Sequence, residues 1–482
     1  MTHLPLAIMT LAGVLLLRAW FSGPRVTLSR TGDFFMLAWF YYAFAIPLDL
    51  LVGLEIRPIV GGPDFSDPEL LGSVMLATLH YLVCGLAFLV VYRGLGQGDT
   101  AERSATGPAW AIVPPPLWVI VLVHVAALAL YGGEFLYLSR AERFLLAGES
   151  HWFRFKIALM MFVTAFDLVC IVISRDRRWS TAVAAIALAM ALLGGDRTDM
   201  MMIVVCYVLR WGVSMRLRTF VTATALGLFF LSVWKYAYAA VQEYFVYGTS
   251  TTNLFDNITL SFSGLDAYGS FMILTTYLDE PSPYWLGMSY LVTPLLITLP
   301  RAFRGDAGVP LAEEFTFTHY PELAEAGFGT GFSALAEAWL NFGPAGCLLL
   351  GVGWAAAARY ADRHRHNPAF YVFALMTCRL FRSDFASLWK SWGVLIGGGM
   401  LMAYLVLRLL CRSSSLTATP PVAGTAPLPT AAVAAQPRGA GRAPRAQRAV
   451  HSLHTPRSSH TPRSPRTPRG ARAALGLWRS LR

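Results

Sequence analysis

The sequence predicts an all-α, polytopic transmembrane helical bundle of about 11–13 spans. Three observations carry that prediction. Only 14% of the 482 residues are charged and 55% are hydrophobic, whereas soluble domains carry roughly 25% charged residues. The mean hydropathy is +0.50. The apolar residues also gather in runs of about 20, the length that crosses a hydrocarbon core as helix.

The long runs lie near 4–21, 33–53, 70–92, 112–131, 156–174, 179–195, 199–215 and 219–241, and then near 333–358, 369–381 and 391–411. The mixed region 242–332 holds two shorter runs, 266–278 and 284–299. These read as a pair of spans or as re-entrant helices. Either way the chain returns to the side it left, so the total is eleven or thirteen. The first run has no basic segment before it and no small-residue cleavage site after it, so it reads as a span and not as a signal peptide.

The net charge of +11 resides in the C-terminal segment. Twelve arginines and no acid lie from Arg412 to Arg482, and the remaining 27 basic and 28 acidic side chains nearly cancel. The basic balance is therefore no nucleic-acid signature of the folded part. The expected organisation is a membrane domain, 1–411, with an outer-face catalytic region at about 242–332, and a disordered, basic cytoplasmic tail, 412–482. Segments such as "HTPRSSHTPRSPRTPRG" cannot bury a core. Such a tail is attracted to anionic headgroups by about 1 kcal/mol per arginine near the surface, or it is an extension without function. Cys84, Cys170, Cys206, Cys347, Cys378 and Cys411 lie in or beside apolar runs and read as buried thiols, not as disulfides or metal ligands.

Arginine placement orients the runs. Arg18, Arg25 and Arg30 surround the turn after the first run, Arg175, Arg177 and Arg178 the turn after the fifth, and Arg210, Arg216 and Arg218 the turn after the seventh. Arg359, Arg363 and Arg365 follow the ninth. All fall on one parity, which is therefore cytoplasmic, and the acidic turn 54–69 falls on the other. The N-terminus is expected outside and the tail inside.

This topology puts five arginines on the outer face: Arg197 in "GGDRTD", Arg301 and Arg304 after "LLITLPR", and Arg379 and Arg382 in "RLFRSDF". They run against the charge bias and need another reason. One is ion pairing, Arg197 with Asp196 or Asp199, Arg304 with Asp306, Arg382 with Asp384. The other is a bound anion, because guanidinium forks hold phosphate oxygens bidentately and stay charged. A pyrophosphate at the outer membrane surface fits the set. As acid or base the candidates are His319, with Glu322 and Glu325 nearby, Glu337, and Asp384. Glu337 and Asn341, four apart, share a helix face. His80 and His124, alone in apolar runs, read as partners of neighbouring helices. No GxxxxGK[ST], HExxH or DxD motif is present, so no metal ion or cofactor is expected.

Four stretches in order, "GGDRTD", "GMSYLVTPLLITLPR", "GFGTGFSALAEAWLNFGPAG" and "RLFRSDF", together resemble the Wzy-type oligosaccharide repeat-unit polymerases, the O-antigen polymerase family. The resemblance covers roughly 190–390. It departs after the second stretch, where an aromatic–Lys–Pro is expected and "PRAFRGDAGVPL" stands, with Arg304 in the lysine's place. It implies a multi-span glycosyltransferase of GT-C-like architecture in a bacterial inner membrane, acting without a metal on the periplasmic side. The donor would be a glycan on undecaprenyl pyrophosphate and the acceptor the sugar end of a second lipid-linked unit. Membrane lipid, a chain-length regulator and a flippase would be its partners. Arg197, Arg301, Arg304, Arg379 and Arg382 would hold the pyrophosphate, and His319, Glu337 or Asp384 would serve the proton transfer. An O-antigen ligase-type transferase, toward which His319 and Gly327 point, and a polysaccharide transporter or flippase are the alternatives.

Overall fold

The computed structural model describes residues 3–53, 70–95, 114–132, 150–194, 197–248, 268–269, 271–272, 286–299, 309–321, 331–365 and 367–415, with positions 138, 146, 303 and 324. The acidic turn 54–69, Arg301, Arg304, Glu322, Glu325, Gly327 and the tail beyond 415 lie outside the described residues.

The described residues are helical almost throughout, as the apolar runs predict. In order they form α1 (Leu4–Trp20), α2 (Thr31–Val52), α3 (Leu71–Gly94), α4 (Leu117–Tyr131), α5 (His151–Ile173), α6 (Arg177–Leu193), α7 (Arg197–Trp211) and α8 (Leu217–Tyr247). After these come α9 (Met288–Thr298), α10 (Leu311–His319), α11 (Ala334–Phe342), α12 (Pro344–Arg363) and α13 (Ala369–Arg379). A final helix begins as α14 (Phe385–Leu388), passes through a π-helical stretch (Trp389–Ile396) and continues as α15 (Gly397–Ser415), four residues past the expected end of the membrane domain. Among the described residues four helices are long and apolar enough to cross a membrane: Thr31–Val52, Leu71–Gly94, His151–Ile173 and Phe385–Leu410. Leu4–Trp20, Leu117–Tyr131 and Met288–Thr298 are shorter apolar helices.

Two features differ from the sequence reading. A two-stranded antiparallel ribbon pairs β1 (Arg25–Leu28) with β2 (Val213–Arg216), Arg25 opposite Arg216. It joins the turns after α1 and α7, so these two basic turns share one end of the bundle. The run near 333–358, expected as one span, is broken. Gly343 (φ 62, ψ −149) turns the chain where an L side chain would be strained, and Pro344 opens α12 at a position where its missing N–H costs nothing. The nine residues of α11 then pack back on α12, and a Cβ at Gly346 would lie 1.9 Å from the Ala338 carbonyl oxygen.

Polar contacts show which helix ends are level. Asp362, near the end of α12, accepts from the Thr31 N–H at the start of α2 (2.8 Å) and from the Tyr92 hydroxyl near the end of α3. Arg363 donates to the Leu95 carbonyl (3.0 Å), and Arg210 at the end of α7 donates to the Ser174 carbonyl after α5 (2.7 Å). The basic turns therefore gather at one end. In the middle, glycines allow close approach: Gly351 of α12 meets the Cys84 backbone of α3, and Gly399 of α15 meets Ala165 of α5. Cys84, Cys170, Cys206, Cys347 and Cys378 are free and buried.

Candidate functional site

Asp199, from the stretch "GGDRTD", is sunk into the bundle because α6 and α7 are short. The 17 residues of α6 and the 15 of α7 extend about 25 Å and 22 Å, whereas the 23 of α5 extend about 34 Å. The ends of α5 and α7 are level at the basic end, where Arg210 meets Ser174. The start of α7 therefore stops short of the far end of α5, and Asp199 Oδ2 accepts from Thr164 Oγ, midway along α5 (3.0 Å).

A cavity of about 310 Å³ opens here, at the end away from the basic turns. Thr198 and Asp199 form one wall, and Arg379, at the last position of α13, forms another. Ser383, Ser387, Ser391 and Trp392 complete that side. The Arg379 guanidinium lies 5.8 Å from the centre of the Trp392 ring, within cation–π range. The π-helical stretch carries Ser391 and Trp392 to the wall, and such widened turns are frequent at functional sites. Further in lie His124 and Asp167, Nε2 to Oδ2 3.0 Å apart, with both side chains almost wholly buried.

Beside the cavity a buried latch ties three of the four sequence motifs. Glu337 accepts from Ser289 Oγ through Oε1 (2.6 Å) and from the Phe385 N–H through Oε2 (2.6 Å). Asn341 Nδ2 donates to Ser289 Oγ (2.7 Å), and its Oδ1 accepts from the Gly287 N–H (2.9 Å). Ser333 caps α11 by accepting from the Ala336 N–H, and Asp384 caps α14 by accepting from the Ser387 N–H. The expected shared face of Glu337 and Asn341 is present, and Ser289 bridges it.

The structure brings some of the predicted residues together and separates others. Arg379 lines the cavity, and Asp199 does so from the turn that holds Arg197. Arg197 is the first residue of α7, and its side chain lies outside what is described. Arg382 is half-buried at the end of a short 3-10 turn, Leu380–Arg382, and does not line the cavity. Asp384 is buried and caps its own helix; the pairing weighed for it with Arg382 is replaced by that cap. His319 ends α10 against Phe315, 4.6 Å between ring centres, away from the cavity wall. Burial holds its imidazole below the usual histidine range. His80 bonds the Leu76 carbonyl of its own helix and meets Trp339 edge-on. Asp167 escaped the sequence reading, and His124 was set aside there. Each is one polar side chain in an apolar run, and only their pairing across two helices marks them. Among the described residues no three His, Cys, Asp or Glu side chains gather to hold a metal ion.

The fold and site define a polytopic helical membrane protein with a partly polar recess at one end of its bundle. Residues 147–383 match the family model for O-antigen polysaccharide polymerase Wzy. That match supports assigning the chain to that family. The match runs from the segment before α5 to Ser383 and includes all four motifs but for the last residues of the fourth. Searches of curated proteins and of solved structures each returned no significant match.

Proposed function

We propose that the chain joins undecaprenyl-pyrophosphate-linked oligosaccharide units into a polymer, O-antigen or exopolysaccharide, on the periplasmic face of the inner membrane. It does so as a metal-independent, GT-C-like glycosyltransferase. The observation that carries this reading is the meeting of Arg379 with the "GGDRTD" turn across one cavity, at the end opposite the basic turns. Basic turns belong in the cytoplasm, so the cavity faces the periplasm, the N-terminus is periplasmic and the tail is cytoplasmic.

In this reading Arg379 holds the donor pyrophosphate, with Arg197 beside it and Arg301, Arg304 and Arg382 joining from the neighbouring segments. An arginine in a span is costly, and a bound anion offsets that cost. As the glycosyl bond breaks, charge grows on the leaving oxygen, and fixed guanidinium groups stabilise it. Glu337 and Asp384 shape the wall of the site, and His319 lies on the outer region through which the acceptor glycan passes. Deleting the gene tests the reading. Single repeat units on the final acceptor support a polymerase. Long chains left on the lipid carrier indicate a ligase instead.

A further inference from the structure

We infer that Asp167, held by His124, takes the proton from the acceptor hydroxyl. The inference rests on the polymerase reading and supplies a residue which that reading lacks.

The hydrogen bonds fix the state of the pair. His124 Nδ1 lies 2.8 Å from the Ile120 carbonyl oxygen, which can only accept, so Nδ1 carries a hydrogen. Nε2 faces Asp167 Oδ2 at 3.0 Å, and two lone pairs would repel there. One proton therefore lies between them. The imidazole is held at both nitrogens and cannot turn. The carboxylate is held through Oδ2 alone, and Oδ1 is buried without a hydrogen-bond partner. Buried carboxylate oxygens are normally satisfied. A hydroxyl entering the cavity that Asp167 lines supplies the missing donor.

Among the described residues the other candidate carboxyl groups are placed differently. Both oxygens of Glu337 accept hydrogen bonds, and Asp199 accepts from Thr164. Asp384 also keeps Oδ1 without a partner, but it caps α14 through Oδ2 and does not line the cavity. His319 is not on the cavity wall. Among the described residues, the charged and titratable groups that line the cavity with the pair are Tyr131 of α4, Asp199 of α7 and Arg379 of α13. Neither α6 nor the π-helical stretch places one there.

The step balances. The acceptor oxygen forms a bond to the anomeric carbon of the donor. The bond from that carbon to the pyrophosphate oxygen breaks, and its electron pair leaves with undecaprenyl pyrophosphate. The hydroxyl proton passes to Asp167 Oδ1. The positive charge gained by the pair matches the negative charge gained by the leaving group, which Arg379 faces from the opposite wall.

The test uses the full chain in proteoliposomes, with lipid-linked repeat units extracted from a strain deleted for this gene. Asp167→Asn should lower kcat at least about a hundredfold with KM little changed, the loss expected for removing a general base. It should also remove the fall in rate that the parent shows on acidification. Asp167→Glu should recover part of the rate, and His124→Gln should shift the acid limb. Retained inhibition by undecaprenyl pyrophosphate would show that Asp167→Asn is folded. Polymerisation by Asp167→Asn within a few fold of the parent overturns the assignment and leaves the polymerase reading standing. An unchanged acid limb, or parallel loss of rate and of undecaprenyl pyrophosphate inhibition, overturns it too, since either marks a structural role. A parent that makes no polymer from these units overturns the polymerase reading and this inference with it.

Discussion

Ser289 Oγ lies 2.6 Å from Glu337 Oε1, across 48 positions of chain. That contact joins the "GMSY" and "EAWLNFGPAG" stretches, and the second oxygen of Glu337 reaches the backbone of Phe385 in "RLFRSDF". Three motifs that look catalytic in the sequence thus share one buried latch. Its position beside the cavity ties the Ser383–Ser387 wall to α9 and α11.

Removing the latch acid should cost stability before it costs chemistry. Glu337→Ala leaves the Ser289 hydroxyl and the Phe385 N–H without an acceptor, about 1–3 kcal/mol for each buried unsatisfied group. The thermal unfolding midpoint in detergent should fall clearly for Glu337→Ala and less for Glu337→Gln, which keeps one acceptor oxygen. Equal midpoints for parent and Glu337→Ala would show that the latch carries no load.

Arg379 is expected to act on the reaction and not on insertion. Arg379→Ala should lower the polymerisation rate by about two to three orders of magnitude, as for the loss of one transition-state donor. Arg379→Lys should recover little, since an ammonium cannot bind two phosphate oxygens as a fork. Membrane yield and glycan ladders of both variants make the check, with Arg197→Ala and Arg382→Ala beside them. Normal chain length in all would remove the pyrophosphate clamp.

The break between α11 and α12 should tolerate no side chain. At Gly343 the backbone is in a region that costs an L residue about 1–3 kcal/mol. At Gly346 a methyl would meet the Ala338 carbonyl oxygen at 1.9 Å, a backbone atom that cannot move aside cheaply. Gly343→Ala and Gly346→Ala should both lower the unfolding midpoint. Gly353→Ala, where nothing lies within 4 Å of a Cβ, should not.

His319 gives the outer region a pH dependence. Burial lowers its pKa in the fold below the unfolded value. The unfolded chain therefore binds the proton first, and stability rises with pH. The contribution is complete above about 6.5 and is lost as pH falls through the lower folded value. Proteolytic cleavage at α10 should quicken as pH falls from about 6.5 through the folded value, and His319→Gln should weaken the dependence. A rate independent of pH in the parent would exclude the effect.

Much of the fold was legible because hydropathy acts locally. Each of the eleven long apolar runs holds helix among the described residues, since a backbone in hydrocarbon must satisfy its own N–H and C=O groups. The break at Gly343 was written in "FGPAG", but a run of apolar residues around it hid the turn. The β1–β2 ribbon was not legible, because its strands are four residues each and meet across 187 positions. Of the cavity lining, Arg379 and Asp199 of "GGDRTD" were legible because charge in an apolar context stands out. His124 was seen and passed over for want of its partner.

By itself the sequence determined the helical class, the gathering of arginines on one parity and the family, because composition, periodicity and ordered motifs are properties of the chain. Only the tertiary structure decided which polar groups are committed and which face a cavity. Glu337 turned both oxygens inward and Asp384 caps its helix away from the cavity, while Asp167 kept an oxygen without a partner and lines the cavity. The reason is that a hydrogen bond between distant helices depends on how they pack, and packing is set by the whole bundle.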